Sequence, residues 1–231
     1  MLEKLLKGRG IAYLARHRHC PLCGWCGSRF LAYGSGQRSR SDAICPSCGS
    51  LERHRAAYVL LKEELAGSHL ALHVAPEPAI SKWLISFSGN YVSIDLTQPA
   101  VVKMDLTALG LANASRSLVW CSHVLEHICE DRRAMAEMYR VLQPGGMAVV
   151  QVPIWRETTH EDCSIGSPEG RLRAFLQENH VRLYGLDIID RLESVGFDVQ
   201  VKRVTQLPPE VIRRQSLYFT STNEVFLCRK I

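Results

Sequence analysis

The sequence predicts an α/β fold: a mostly parallel sheet with helices on both faces and an antiparallel edge strand, preceded by a small cysteine-rich module. Three observations carry this. From about residue 68 onward, apolar strand-like runs alternate with helical patterns, as parallel sheets require. Two Cys-Pro-x-Cys-Gly turns stand near the N-terminus, beginning at Cys20 and Cys45. From Ser117 to Pro153 the chain reads SLVWCSHVLEHICEDRRAMAEMYRVLQPGGMAVVQVP. That is a buried strand, a polar strand end, an amphipathic helix, a Pro-Gly-Gly turn and a second buried strand. Such a crossover unit sets its ligand site at the carboxyl ends of its strands. Here that end carries Ser122, His123, Glu126 and His127.

The N-terminal part comes first in the chain. MLEKLLKGRGIAYLARHRH is basic but lacks a continuous apolar core and a small-residue cleavage site, so it reads poorly as a secretory leader. A cytoplasmic location is the expectation. No apolar run reaches the roughly 18 residues of a membrane-spanning helix, so no membrane partner is expected. Nine cysteines in such a chain argue for metal before disulfides. Tetrahedral zinc takes four thiolates from two Cys-x-x-Cys knuckles. Cys20, Cys23, Cys45 and Cys48 are therefore the expected ligands of a closed, structural Zn2+ site. Cys26 lies close enough to replace Cys23, although the symmetry of the two knuckles favours Cys23. Between them FLAYGSGQRSRSDAI reads as a hairpin with a Gly-Ser-Gly tip, which makes residues 1–50 an N-terminal segment and zinc ribbon. Cys121, Cys129, Cys163 and Cys228 are scattered and are expected as buried free thiols.

Residues 51–67 read as a connecting helix, with Leu51, Ala57, Val59, Leu60, Leu61 and Leu65 at helical spacing and a stop at Ala66-Gly67. The domain over 68–231 then alternates. Strands are expected at 70–75, at YVSIDL ending on Asp95, at VVKM before Asp105, at 117–122 and at about 147–153. Helices are expected at about 77–87, 130–142 and 185–195. A long polar stretch, 154–180, separates the fifth strand from the late helix. FDVQVKRV and EVFLCRK close the sheet, and their connection without a clear helix suggests the antiparallel edge.

Charge divides unevenly. Residues 1–67 hold 11 Lys/Arg against 5 Asp/Glu, a net +6, whereas residues 68–231 hold 17 against 18, a net −1. The basic excess suits an anionic partner such as nucleic acid. A few arginines without aromatic interleaving fit better a solvated face beside a metal site carrying two negative charges.

The run containing LEH, the helix ending in YRVLQPGG and the strand after it resembles the second half of a class I S-adenosylmethionine (SAM) methyltransferase, of the methyltransferase type 11-like kind. The resemblance covers roughly residues 68–231 and implies a Rossmann-like sheet that binds SAM. One departure stands out. Most members carry a glycine-rich motif after the first strand, where this chain has His73-Val74-Ala75-Pro76-Glu77-Pro78-Ala79. It looks like a subgroup in which a zinc ribbon precedes a domain with Ala-Pro-Glu at this loop. The loss is tolerable because glycine motifs serve backbone approach to a pyrophosphate, and SAM has no phosphate. Glu77 either binds the SAM ammonium or caps the next helix.

Asp95 falls 18 residues after Glu77, near the spacing at which an acid takes a ribose hydroxyl pair. Asp105, followed by Leu106, falls where the family's adenine-binding acid does. The resemblance thus implies cofactor contacts at Ala75, Glu77, Asp95, Asp105, Leu106, Ser122 and His123. His123 and His180 are the candidate catalytic residues, and His127 is expected to be structural at the helix start. His160, Glu161, Arg182 and Tyr184 are the candidate acceptor-binding residues, on a segment over the sheet's carboxyl edge that suits a lid. The expected function is methyl transfer to O, N or C of a polar small molecule. One alternative is an RNA methyltransferase that docks its substrate on the basic ribbon. Another is a non-catalytic SAM-fold binding protein.

Overall fold

The computed structural model describes residues 17–34, 39–218 and 223–231. They fall into two compact units. The first holds the described residues up to Ala66, with Pro78–Trp83 and Arg203–Asn223; the second holds Gly67–Glu77, Leu84–Lys202 and Glu224–Ile231. Two segments of the first unit thus come from the stretch that the sequence assigns to the 68–231 domain.

In the first unit β1 (Arg18–His19) pairs antiparallel with β2 (Cys26–Gly27), and β3 (Leu31–Tyr33) with β4 (Arg40–Ile44). The latter pair is the expected hairpin; residues 35–38 of its tip, Arg38 included, lie outside the described residues. The two knuckles are built alike. The amide of Gly24 donates to Cys20 O and that of Gly49 to Cys45 O, each at 2.9 Å. Both glycines have positive φ, +75° and +72°, a conformation that a Cβ would strain. Next comes α1 (Glu52–Leu61), which buries Ala57 and Leu61 as the periodicity predicts. It also buries Glu52, His54 and Arg55, so its inner face is partly polar.

The second unit is built on β5 (His69–Val74), β6 (Ser88–Asp95), β7 (Val102–Lys103), β8 (Arg116–Ser122) and β9 (Leu142–Gln151), all mutually parallel. Helix α2 (Pro78–Phe87) joins β5 to β6, and α3 (Asp131–Val141) joins β8 to β9. Ala134, Met135, Met138 and Val141 of α3 pack on Leu72, Val119, Cys121 and Val150 of the sheet. The polar stretch is more ordered than expected. It contains β10 (Ile154–Arg156), β11 (His160–Glu161) and α4 (Pro168–Phe175), and both strands pair with β12 (Arg182–Gly185) in a small second sheet. A short α5 (Ile188–Glu193) follows.

The chain closes with β13 (Phe197–Arg203) and β14 (Glu224–Lys230), giving the order β13-β14-β9-β8-β5-β6-β7. β14 is antiparallel to β9, but it stands one place in from the edge, which corrects the expected antiparallel edge strand. The reason is its composition. Val225, Phe226, Leu227 and Cys228 are all fully buried, so both faces of β14 are apolar and want cover. β13 exposes Asp198 and Gln200 and suits an edge. No helix among the described residues is long and apolar enough to cross a membrane.

Arg55 organises the first unit. It is fully buried, its Nε donates to Gln215 O at 2.7 Å, and Nη1 donates to Ala43 O at 2.9 Å and Ser50 O at 2.7 Å. Its guanidinium carbon lies 4.0 Å from the centre of the Phe30 ring. Replacing it by Met keeps the bulk but strands three carbonyls. Arg55→Met is expected to cost about 3 kcal/mol, the scale of a charged hydrogen bond plus buried unpaired acceptors. Denaturant unfolding followed by Trp25 fluorescence checks this; an unchanged midpoint would remove Arg55 from the centre of the unit.

Candidate active site

The parallel sheet reverses its direction of growth at β5 and β8, which are neighbours, and open α/β sheets bind ligands outside the carboxyl ends at such a point. Both strands end in the same way. Ala75, just after β5, has φ +50°, and His123, just after β8, has φ +56°. The Ala75 amide donates to Ile94 O on β6 at 2.9 Å, and the His123 amide to Gln151 O on β9 at 2.8 Å. Each residue keeps one sheet bond and then turns the chain out of the sheet plane. A left-handed non-glycine residue costs on the order of 1 kcal/mol, and such strain gathers at functional sites.

The acids line up along the same edge. Asp95 ends β6 and accepts with Oδ1 from the amides of Thr97 and Gln98, each at 2.7 Å. That turn fixes the carboxylate through Oδ1. Asp105 is exposed and does the same with Oδ1, from the Thr107 amide at 2.8 Å and its hydroxyl at 2.9 Å. Leu106 is buried beside it. Glu77 occupies the N-cap position of α2 without a side-chain cap bond. Ser122 is buried at the end of β8, its hydroxyl 3.4 Å from Gln151 Oε1.

After His123 the chain makes one 3-10 turn, Leu125–His127, too short to satisfy its own carbonyls. Arg182 satisfies them. It is 1% exposed; Nη1 donates to Leu125 O at 2.8 Å and to Ile128 O, and Nη2 to Cys129 O at 2.9 Å. The Val181 amide donates to Glu126 O at 3.0 Å. Together these bonds press His180 against the turn, with the His127 and His180 ring centres 4.8 Å apart. Burial pushes His180 down to about 4. Burial also raises the Glu126 carboxyl, but the neighbouring His123 and His127 outweigh it and hold it below its ordinary range. His123 Nδ1 lies 3.4 Å from Glu126 Oε1.

The structure brings the candidate catalytic residue His180 to the turn after β8, and of the expected acceptor-binding residues it places Glu161, Arg182 and Tyr184 in the network that braces that turn. Arg182 Nε also pairs with Glu161 at 2.9 Å. Arg191 bridges Glu161 at 2.9 Å and Asp131 at 3.0 Å, and the Tyr184 hydroxyl donates to Asp131 Oδ2 at 2.6 Å. His160 is exposed and stacks near Phe175. Sequence reasoning missed Asp131 and Arg191, whose spacing carries no motif. It also expected Cys129 and Cys163 as buried thiols. Both are exposed, and they form a disulfide with Cα atoms 5.9 Å apart that ties the insertion to the segment before α3. Cys121 and Cys228 are buried free thiols as expected.

Residues 77–150 match the family model described as a methyltransferase domain. An uncharacterized methyltransferase of Mycolicibacterium gilvum (strain PYR-GCK) is 39% identical over 54 residues, 23% of this chain and 21% of that protein. The chain therefore aligns with about a fifth of that relative's length. A SAM-dependent methyltransferase from Mesorhizobium loti shares the fold with a TM-score of 0.58 at 14% identity, over 76% of this chain and 98% of its own. The 1,6-didemethyltoxoflavin-N1-methyltransferase of Burkholderia thailandensis, solved with 1,6-didemethyltoxoflavin and S-adenosylhomocysteine bound, gives 0.56 at 14% identity over 78% of each chain. The strand ends that carry Glu77, Asp95, Asp105, Ser122 and His123 all lie inside the matched methyltransferase domain.

The ion pairs that brace the insertion respond to acid. Hydrogen bonding to Arg191, and then to Arg182, holds the Glu161 carboxyl down at about 2, against an ordinary 4.5. A depressed carboxyl contributes stability that is complete above its unfolded value and is lost as pH falls through the folded one. Glu161→Gln should lower stability at pH 7 by about 1 kcal/mol, allowing for screening of this part-exposed group. It should also flatten the loss between pH 4.5 and 2. Thermal melts of both proteins across that range check it, and parallel curves would detach Glu161 from the brace.

Proposed function

We propose that this chain is an enzyme that transfers the methyl group of SAM to a polar small-molecule acceptor. The observation that carries the reading is the switch-point crevice between β5 and β8, flanked by Asp95 on β6, with β6 and β8 lying within the residues that match a methyltransferase domain. In this reading Asp95 Oδ2 takes the ribose hydroxyls, Asp105 and Leu106 flank the adenine, and Ala75, Glu77 and Ser122 line the amino-acid end. SAM supplies an electrophilic methyl group on a sulfonium. The chain's part is to hold the acceptor in line with it and to exclude water, which supplies most of the rate. A protonated acceptor also needs a base. We assign that role to His123, whose Nδ1 faces Glu126 and whose buried Nε2 has no hydrogen-bond partner. His180, the other candidate, is more deeply buried. Arg182, Tyr184 and Glu161 act as positioning residues. His160 is kept as a residue of the acceptor side.

Similar folds solved with small molecules bound support a small-molecule acceptor: 1,6-didemethyltoxoflavin in the Burkholderia thailandensis enzyme and phosphomonomethylethanolamine in a Haemonchus contortus N-methyltransferase. Against the RNA alternative, Arg18 pairs with Asp42 at 2.5 Å, Arg40 with Glu52 at 3.5 Å, and Arg55 is buried, so these three basic residues of the first unit are already engaged within it. Calorimetry tests the cofactor reading. SAM and S-adenosylhomocysteine should bind near micromolar, about −8 kcal/mol. Asp95→Ala should weaken both by roughly 1–3 kcal/mol. No binding by the unaltered protein would end the proposal, and binding unaffected by the substitution would reduce Asp95 to a turn residue.

The same proposal includes a structural zinc in the ribbon. The sulfurs of Cys20, Cys23, Cys45 and Cys48 all lie within 4.8 Å of one another, with Cys20–Cys48 at 3.6 Å and Cys23–Cys45 at 3.7 Å. Thiolates about 2.3 Å from a tetrahedral zinc stand roughly 3.8 Å apart, so the donor set fits. Cys26 is exposed, contacts Gly24 O and falls outside the cluster. Metal analysis should find about one zinc per chain at these thiolates, and Cys45→Ser should lose it. Zinc-free protein prepared without chelator would refute the site.

A further inference from the structure

We propose that Glu126, His127 and His180 form a second metal site, for a divalent transition ion of the Zn2+, Co2+ or Ni2+ kind, at the carboxyl end of β8. One donor atom from each lies within 4.8 Å of the other two. Donors about 2.0–2.2 Å from a tetrahedral ion stand roughly 3.3–3.5 Å apart, so the donor atoms need draw in by about 1.5 Å at most from their 4.8 Å limit. Two imidazoles and one carboxylate suit these ions, and three protein ligands leave coordination positions open.

Proximity alone would be weak. What points to a ligand is a set of buried polar atoms that the protein leaves unsatisfied. Glu126 is 1% exposed and neither carboxylate oxygen has a hydrogen-bond partner. Its nearest polar contact, His123 Nδ1 at 3.4 Å, is long for a hydrogen bond. His180 is 3% exposed, and its Nδ1 is also buried without a partner. A buried carboxylate beside an unpartnered imidazole costs several kcal/mol unless something neutralises the charge. A dication between them does so, and takes the imidazole lone pair as well.

His127 carries a further sign. Its Nδ1 lies 3.0 Å from Asn179 O. A carbonyl can only accept, so Nδ1 holds the hydrogen and Nε2 keeps its lone pair. That is the arrangement by which metal-binding histidines are oriented from behind. The two segments that carry the ligands are also fixed to each other, by the Val181 amide on Glu126 O and by Arg182 on the carbonyls of the turn. The site therefore does not depend on metal for its assembly.

His123 stands 3.4 Å from the Glu126 carboxylate, so an acceptor with an oxygen or nitrogen donor held beside His123 would be near enough to take an open position on the ion. This use rests on the methyl-transfer reading; the metal site itself does not, and a failed methyl assay leaves the following measurement intact. The full chain, carrying one equivalent of zinc in the cysteine cluster and freed of further zinc, is titrated with Co2+ and followed by visible absorption. A cobalt ion on imidazole and carboxylate gives a ligand-field band without the intense thiolate charge transfer of the cysteine cluster, so the two sites are told apart in one spectrum. One equivalent should bind without thiolate bands. His127→Ala and His180→Ala should each raise its Kd at least tenfold, while His160→Ala leaves it unchanged. His127 is partly open to solvent, so His127→Ala keeps the test decisive if His180→Ala folds poorly. Saturation that needs millimolar Co2+, or wild-type affinity in His127→Ala, overturns the site.

Discussion

A buried arginine must find acceptors, and an isolated 3-10 turn must find donors. In the second unit Arg182 and the Leu125–His127 turn solve each other's problem. The guanidinium's fixed fork reaches carbonyls that no helix ladder claims, and Glu161 takes the remaining charge. Everything distinctive about the crevice follows from this clamp. It holds the end of the insertion against the end of β8, and so places His180 beside Glu126 and His127. Asp131, Arg191 and Tyr184 extend the clamp into a balanced network of two arginines and two carboxylates. Lysine in place of Arg182 would keep the charge and lose the fork.

The frame of the second unit was legible because its signals are local. Each parallel strand is a short apolar run, α3 is amphipathic, and the switch point follows from the order in which strands and helices alternate. Asp95 and Asp105 stood out as strand-end acids for the same reason. What escaped was non-local. The position of β14 depends on which strand has two apolar faces, and only the packed sheet reveals that. The Cys129–Cys163 bond and the Asp131–Arg191 pair join residues 34 and 60 positions apart with no spacing rule to announce them. Arg182 and Tyr184 drew attention as polar residues on a loop. In the structure they are among the largest fully buried side chains, because a charge at the base of an insertion serves packing before binding.

The ribbon's charge teaches a related lesson. A net +6 over residues 1–67 invites a reading as a surface. Yet the first unit has little apolar material around its knuckles, chiefly Phe30 with Leu22 and Trp25. Small modules supplement such cores with metal and with polar cross-links. Arg55 stacks on Phe30 and ties three carbonyls, while Arg18 bonds Asp42, whose other oxygen accepts from the Phe30 amide at 2.6 Å. Composition counts these arginines as surface charge; geometry spends them on folding.

The glycine-free loop after β5 looks at first like the loss of a cofactor site, and the backbone argues otherwise. Glycine in such loops does two separable things: it permits a left-handed turn, and it lets backbone approach a ligand closely. Ala75 performs the first at φ +50° with only a methyl side chain to strain. The second matters most when amides must wrap a pyrophosphate, which SAM lacks. Pro76 and Pro78 then stiffen the exit of the loop, as Pro at the start of α2 does without cost to the helix. The chain thus trades a flexible loop that a ligand must order for a rigid one already turned. The same economy recurs at His123, where the residue that accepts the left-handed turn is also the proposed base. Both strained residues sit at the ends of adjacent central strands, where the sheet on either side over-determines their backbone, and that is where strain can persist.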